Sequence, residues 1–242
     1  MKKILITILL ALLAGCTPKE PPFDAAAVFK EAEESMRTEA FEKARKGYQQ
    51  IQEKSPDKSY DADLMLRIAD TYYGEEKYSE AQVEYQAFLN YHPVHKDAAY
   101  AQYQIAMCYY NDLTTIDRDP APAHAVVREM RKLLDKYPRS GYEEPARKYI
   151  AICTDRIADY ELYVAHFYYK KGSYKAAVGR CEALLKKYPG SHAEKDALYY
   201  AGLSYSELGE RDLARAKFET LAEKYPAMKK TALSHIQKLH TP

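Results

Sequence analysis

Ala177-Val178-Gly179-Arg180-Cys181-Glu182-Ala183-Leu184-Leu185-Lys186-Lys187-Tyr188-Pro189 holds one complete copy of a pattern that recurs along the chain. Its proline removes a backbone donor and disfavours helix in the residue before it, so a helix ends there. Four other helices end alike, at Lys54-Ser55-Pro56, Tyr91-His92-Pro93, Lys136-Tyr137-Pro138 and Lys224-Tyr225-Pro226. Twelve residues before the five prolines stand Ala44, Ala81, Val126, Ala177 and Ala214. Eight before them stand Tyr48, Tyr85, Met130, Cys181 and Phe218, and five before them Ile51, Phe88, Leu133, Leu184 and Leu221. Steps of four and three put these residues on one helical face, small at the top and large below.

A second helix precedes each of these. Its small residue is Ala32, Ala69, Ala106, Ala165 or Gly202, followed three positions later by Ser35, Tyr72, Tyr109, Tyr168 or Tyr205. Small, Tyr, small, aromatic and Pro at these offsets resemble the tetratricopeptide repeat. The expected fold is therefore all-α: a right-handed α-solenoid of five tetratricopeptide-like helix pairs with a C-terminal capping helix over residues 227–240. Met228, Ala232, Ile236 and Leu239 share the apolar face of that cap. The proline spacings of 37, 45, 51 and 37 locate two insertions. One is a loop around Asn111 to Pro122. The other is an extended helix from Tyr142 to Lys171, with Pro145 in its first turn. Gly74, Gly172 and Gly209 fall between paired helices, where a left-handed C-cap suits glycine.

The 242 residues carry 24 tyrosines, six phenylalanines and no tryptophan, and the repeat absorbs much of that tyrosine. The 36 basic and 35 acidic side chains nearly cancel, so the chain has no electrostatic footprint for nucleic acid. No Walker loop, Gly-x-Ser-x-Gly or His-Glu-x-x-His occurs, and neither a catalytic residue, a cofactor nor a metal ligand is expected. Asp112, Asp117 and Asp119 do not follow a calcium-loop spacing, and Asp119 before Pro120 reads as the N-cap of the next helix. His92 and His95 lack a third zinc ligand, and His235 and His240 read as surface residues of the cap. Glu143-Glu144 and Lys170-Lys171 sit at the two ends of the long helix, where they suit its dipole.

The first residues read as an address. Lys2-Lys3, an apolar run from Ile4 to Leu13 and then Leu13-Ala14-Gly15-Cys16 resemble a bacterial lipobox, with residues 1–15 cleaved and Cys16 acylated. Thr17 after the cysteine implies sorting to the outer membrane, and residues 16–22, with three prolines, form a stiff tether. Cys108, Cys153 and Cys181 remain, spaced like no metal motif. They read as small buried residues, with a disulfide in an oxidising compartment as the alternative.

Further local features narrow the resemblance. Asp117-Arg118-Asp119-Pro120 lies in the insertion, followed by Tyr137-Pro138-Arg139-Ser140-Gly141-Tyr142 and by Arg156 to Tyr168 on the long helix. Gly172, Tyr174, Ala176-Ala177 and Arg180 complete the set. Together they resemble the BamD family of outer-membrane-protein assembly factors. That resemblance implies a non-enzymatic, lipid-anchored scaffold on the periplasmic face of the outer membrane. It implies as partners a BamA-like barrel protein with periplasmic repeats, unfolded outer membrane protein precursors and other assembly lipoproteins. Residues 23–138 would face precursors and residues 139–242 the BamA-like protein, with Arg180 at the family's BamA-facing position. Tyr60, Tyr72, Tyr73 and Tyr103 are the candidate precursor groove, chosen from periodicity. Ser55-Pro56-Asp57-Lys58-Ser59-Tyr60 departs from the family's usual Tyr-Pro turn followed by Phe-Gly. The alternative is another lipid-anchored repeat scaffold, such as a secretin pilotin or a peptidoglycan-linked division factor.

Overall fold

The computed structural model describes residues 23–239. Residues 1–15, Cys16, the tether of residues 16–22 and His240 lie outside the described residues.

Eleven α-helices follow one another, with no strand among the described residues. They are α1 (Ala25–Arg37), α2 (Phe41–Lys54), α3 (Asp61–Gly74), α4 (Tyr78–Tyr91), α5 (Ala98–Asn111), α6 (Ala121–Lys136), α7 (Glu143–Lys170), α8 (Tyr174–Lys187), α9 (Glu194–Glu207), α10 (Arg211–Lys224) and α11 (Lys229–Lys238). The order gives five pairs and a terminal helix. A 3-10 turn, Pro226–Met228, introduces α11, so the cap starts tighter than a single helix from residue 227 would. The chain divides after Leu64 into two compact units.

In the first unit α1 packs on α2. The Asp24 carboxylate accepts the Ala27 N–H at 3.0 Å and starts α1. Ala32, Ala44 and Tyr48 are buried, and Phe29 lies 5.9 Å from the Tyr48 ring. The helices approach so closely that a Cβ on Gly47 would come 3.0 Å from that of Ala32.

In the second unit each helix from α4 onward packs against the next, and α7 also reaches α9. This nearest-neighbour stacking is that of a helical solenoid. Three apolar clusters succeed one another. Val126, Met130, Leu133, Cys153 and Ile157 join α6 to α7. Ala165, Cys181, Leu184 and Ala197 join α7, α8 and α9. Ala214, Phe218, Leu221, Ala232 and Leu239 join α10 to α11. The fifteen positions at minus twelve, minus eight and minus five are buried in all five pairs. Each fully buried large side chain contributes roughly 1.5–3 kcal/mol.

The second helix of the first two pairs buries a tyrosine whose hydroxyl finds a carboxylate. Tyr48 donates to Glu33 at 2.6 Å and Tyr85 donates to Asp70 at 2.6 Å. Tyr100 also donates to Asp70, at 2.7 Å. Here tyrosine is a core residue whose polar tip needs a partner. Burial and the adjoining Asp70 push the Tyr85 hydroxyl far above the ordinary tyrosine range.

Three local expectations change. Gly74 is the last residue of α3, and the left-handed residue is Glu76, at φ 58°. Glu39 takes the same place after α1 at φ 60°, while Gly172 and Gly209 take it in the later pairs. The turn geometry is thus repeated, but glycine supplies it in only two of these four places. His235 is only half-exposed: it stacks on Phe218 with ring centroids 5.0 Å apart and packs on Tyr199 at 5.6 Å. Asp119 caps from one position further out, its carboxylate accepting the Ala121 N–H at 2.9 Å while Pro120 occupies the boundary.

Cys108, Cys153 and Cys181 are free and buried, as small core residues. Burial pushes their thiols up to about 12, 11 and 12. No helix among the described residues is long and apolar enough to cross a membrane.

Candidate protein-docking surfaces

Tyrosines from four elements gather over the α5–α7 core. Tyr73 of α3 and Tyr103, Tyr109 and Tyr110 of α5 meet Tyr142, just before α7, and Tyr149 inside it. Tyr103 lies 5.0 Å from Tyr142 and 6.3 Å from Tyr149, and Tyr110 packs on Tyr149 at 4.7 Å. Tyr73 meets Tyr78 edge-on at 5.5 Å, and its hydroxyl accepts from the Asn111 amide at 2.8 Å. These are the ring separations of favourable aromatic pairs. All six rings remain half-buried, so each offers part of a face and an edge. Burial pushes the Tyr103 hydroxyl up to about 12, keeping it a neutral donor at ordinary pH.

Of the four tyrosines expected in the groove, Tyr73 and Tyr103 come together in this patch. Tyr72 is half-buried on α3 and has its own partner. Tyr60 belongs to the first unit and is 60% exposed. Sequence spacing did not point to Tyr110, Tyr142 or Tyr149. They reach the patch from the end of α5 and the start of the lengthened α7.

Arg180 stands on α8, exposed, with Nη1 donating to Glu161 Oε2 of α7 at 3.0 Å. One face of the guanidinium fork is fixed by that carboxylate, which restricts the freedom a long side chain otherwise loses on binding. The result is a cation held in place at the surface.

Two buried glutamates serve the fold. Glu194 is buried at the start of α9 and accepts from Gly190 N–H at 3.0 Å, Tyr225 hydroxyl at 2.9 Å and Lys224 Nζ at 2.5 Å. Burial opposes its charge, but Lys224 and Tyr225 outweigh that and hold the carboxyl below the usual range. Glu129 is buried between Gln102, Lys132 and Arg128 in the same manner. His92 and His95 pack on Phe88 at 5.5 and 5.4 Å.

Comparison with known proteins bears on most of the chain. The family described as YfiO, outer membrane lipoprotein, matches residues 22–221. A Vibrio cholerae protein named outer membrane protein assembly factor BamD is 26% identical, over 84% of this chain and 90% of its own. Proteins of the same name from Neisseria meningitidis and Rickettsia prowazekii are 24% and 26% identical, over 93% and 90% of this chain and 92% and 88% of theirs. Among solved structures, the TPR2AB-domain:pHSP90 complex of yeast Sti1 aligns with a TM-score of 0.45 at 14% identity, over 84% of this chain and 78% of that one.

Proposed function

The chain belongs to the YfiO family of outer membrane lipoproteins, and from that premise we propose that it is a non-enzymatic scaffold and substrate-recognition subunit of the β-barrel assembly machinery. The observation that carries this reading is the family match over residues 22–221, which runs from before α1 to Leu221 of α10 and so includes nearly all five helix pairs. Within the second unit, stacked pairs with small residues at the crossings give a rigid framework on which exposed side chains keep fixed separations.

In this reading Cys16 carries the acyl chains that hold the protein to the periplasmic face of the outer membrane. More than one chain makes such anchoring stable, at about 0.8 kcal/mol per buried methylene. The earlier repeats, residues 23–138, receive barrel precursors, and the later ones, residues 139–242, hold a BamA-like protein. A precursor strand alternates aromatic and polar side chains and aggregates if left exposed. The patch of Tyr73 and Tyr103 offers it ring faces with polar edges, and Tyr60 and Tyr72 are further precursor contacts. Arg180 supplies the ion-pair contact to the BamA-like partner.

The test is a tagged pull-down from detergent-solubilised envelopes with the co-purifying proteins identified. A large partner carrying both a barrel and periplasmic repeats is the expected result. Recovery of a secretin or a wall-binding protein instead, with no such barrel protein, would overturn the assembly reading and favour a pilotin-like or division-linked scaffold.

A further inference from the structure

A separate groove of about 410 Å³ opens in the second unit, where the insertion loop, α7 and α9 meet. Its apolar surface comes from Ile116 of the loop, 41% exposed, and from Leu162 of α7. Aromatic walls come from Tyr163, 48% exposed, and from His166 against Tyr200, whose rings are 4.7 Å apart. Tyr169 and Tyr199 back Tyr200 at 5.4 and 5.6 Å, so that wall is braced from two sides.

Two carboxylates line the same groove, Asp159 of α7 and Asp196 of α9. Asp196 has the neighbouring Lys195 ammonium at 3.7 Å. Asp159 differs: among the described residues no side chain or backbone group hydrogen-bonds to its carboxylate or forms an ion pair with it. It is half-buried, and burial and the nearby Asp155 charge raise its pKa, with His192 and Arg156 only partly offsetting them. Burial and Lys170 keep His166 the more neutral. A half-desolvated carboxylate with no bonded partner stands at a net cost that an incoming cation would remove. An anionic ligand would meet two acids.

We propose that this groove docks an extended segment of a partner protein in which a lysine or arginine is flanked by apolar side chains. The cation reaches Asp159, the flanking side chains cover Ile116 and Leu162, and the aliphatic stem of the cation lies along Tyr163 and His166. The open space suits a peptide backbone. Aromatic anchors around a single charged contact are the usual composition of a protein-recognition site. This proposal concerns a surface distinct from the Tyr73–Tyr103 patch and from Arg180, and it stands or falls independently of the assembly reading.

The experiment measures fluorescence anisotropy of three pools of labelled seven-residue peptides against the full lipidated chain in detergent micelles. The central residue is Lys, norleucine or Glu, and the flanking positions are drawn from Leu, Val, Tyr and Phe. The Lys pool should bind about tenfold more tightly than the Glu pool. Asp159→Asn removes repulsion from Asp155 and should leave the fold intact while shrinking that preference to about threefold or less. Tyr163→Ala, at an exposed position, should weaken all three pools about fivefold. Equal binding of the Lys and Glu pools, absence of binding by any pool, or an unchanged Lys preference in Asp159→Asn would overturn the proposal. Circular dichroism melting of each variant separates loss of binding from loss of fold.

Discussion

Arg180 on α8 and Glu161 on α7 form an ion pair across two consecutive helices, with Nη1 3.0 Å from Oε2. Arg180 is 45% exposed at its side chain and Glu161 21%, so the arginine is presented and the glutamate supports it. Such a pair contributes only about 0.2–1 kcal/mol to stability, and its larger effect lies in orientation. Arg180→Ala should therefore leave the melting temperature nearly unchanged and weaken binding of the BamA-like partner about tenfold. Glu161→Gln should weaken it less, about threefold, by freeing the guanidinium. Surface plasmon resonance with the purified periplasmic repeats of the partner checks both. Unchanged affinity for Arg180→Ala in a folded chain would remove Arg180 from the interface.

Gly202 of α9 lies against Phe218 of α10, where an added Cβ would come 2.7 Å from Phe218 Cε1. Phe218 is fully buried with Ala214 and Leu221 and carries the stacked His235 ring on one side. It has little room to retreat. Gly202→Ala should cost about 1–3 kcal/mol through overpacking, even though alanine favours helix. Thermal unfolding should show a drop of several degrees, and a rise instead would show that Phe218 can move aside.

Acid should loosen the fourth and fifth pairs through Glu194. Its carboxyl is held below the ordinary glutamate value by Lys224 and Tyr225 against the opposing effect of burial. The stabilisation is therefore fully present above the pKa of an unfolded glutamate and is lost as pH falls through the depressed folded value. Glu194→Gln should cost about 1–2 kcal/mol at pH 7, because the half-exposed Lys224 and the Gly190 N–H lose a charged acceptor. It should also flatten the dependence of melting temperature on pH below about 4.5. Melting curves from pH 3 to 7 for both chains check this, and parallel curves would exclude Glu194 as the titrating group.

The three buried thiols should be inert in the native chain. With Cys108, Cys153 and Cys181 pushed up to about 12, 11 and 12, almost no thiolate exists at pH 8, and none is exposed. Titration of a chain lacking Cys16 with a thiol-specific chromogen should find negligible reaction before denaturant and all three thiols after it. Rapid reaction of any one in the folded chain would place it at the surface.

The core was legible from spacing alone because proline punctuates each pair and the face residues keep fixed offsets. All fifteen face positions from Ala44 to Leu221 are buried. The carboxylates that satisfy Tyr48 and Tyr85 were not legible, since Glu33 and Asp70 look like ordinary charges on exposed helices until the second helix folds over them. The left-handed turns at Glu39 and Glu76 carry no glycine to mark them in sequence. In sequence His235 resembles a solvated ring near a terminus, and only packing against Phe218 shows that it is half-buried. At the candidate surfaces, periodicity singles out Tyr73 and Tyr103, which share one patch. Their companions Tyr142 and Tyr149, and the loop residue Ile116 beside Tyr163, are brought together by tertiary packing that periodicity does not encode.

The 28 residues of α7 form a single uninterrupted rod, about 42 Å long at 1.5 Å per residue. It carries Tyr149 of the tyrosine patch near its start and Tyr163 of the acidic groove nearer its end. Fourteen residues make nearly four turns, so the two rings lie about 21 Å apart along the axis and within about 40° of each other around it. The helix therefore acts as a ruler. A single chain that filled both places would need to carry its two contact motifs at least about six extended residues apart. A shorter spacing could satisfy only one at a time, and a longer flexible one would lose effective concentration with length.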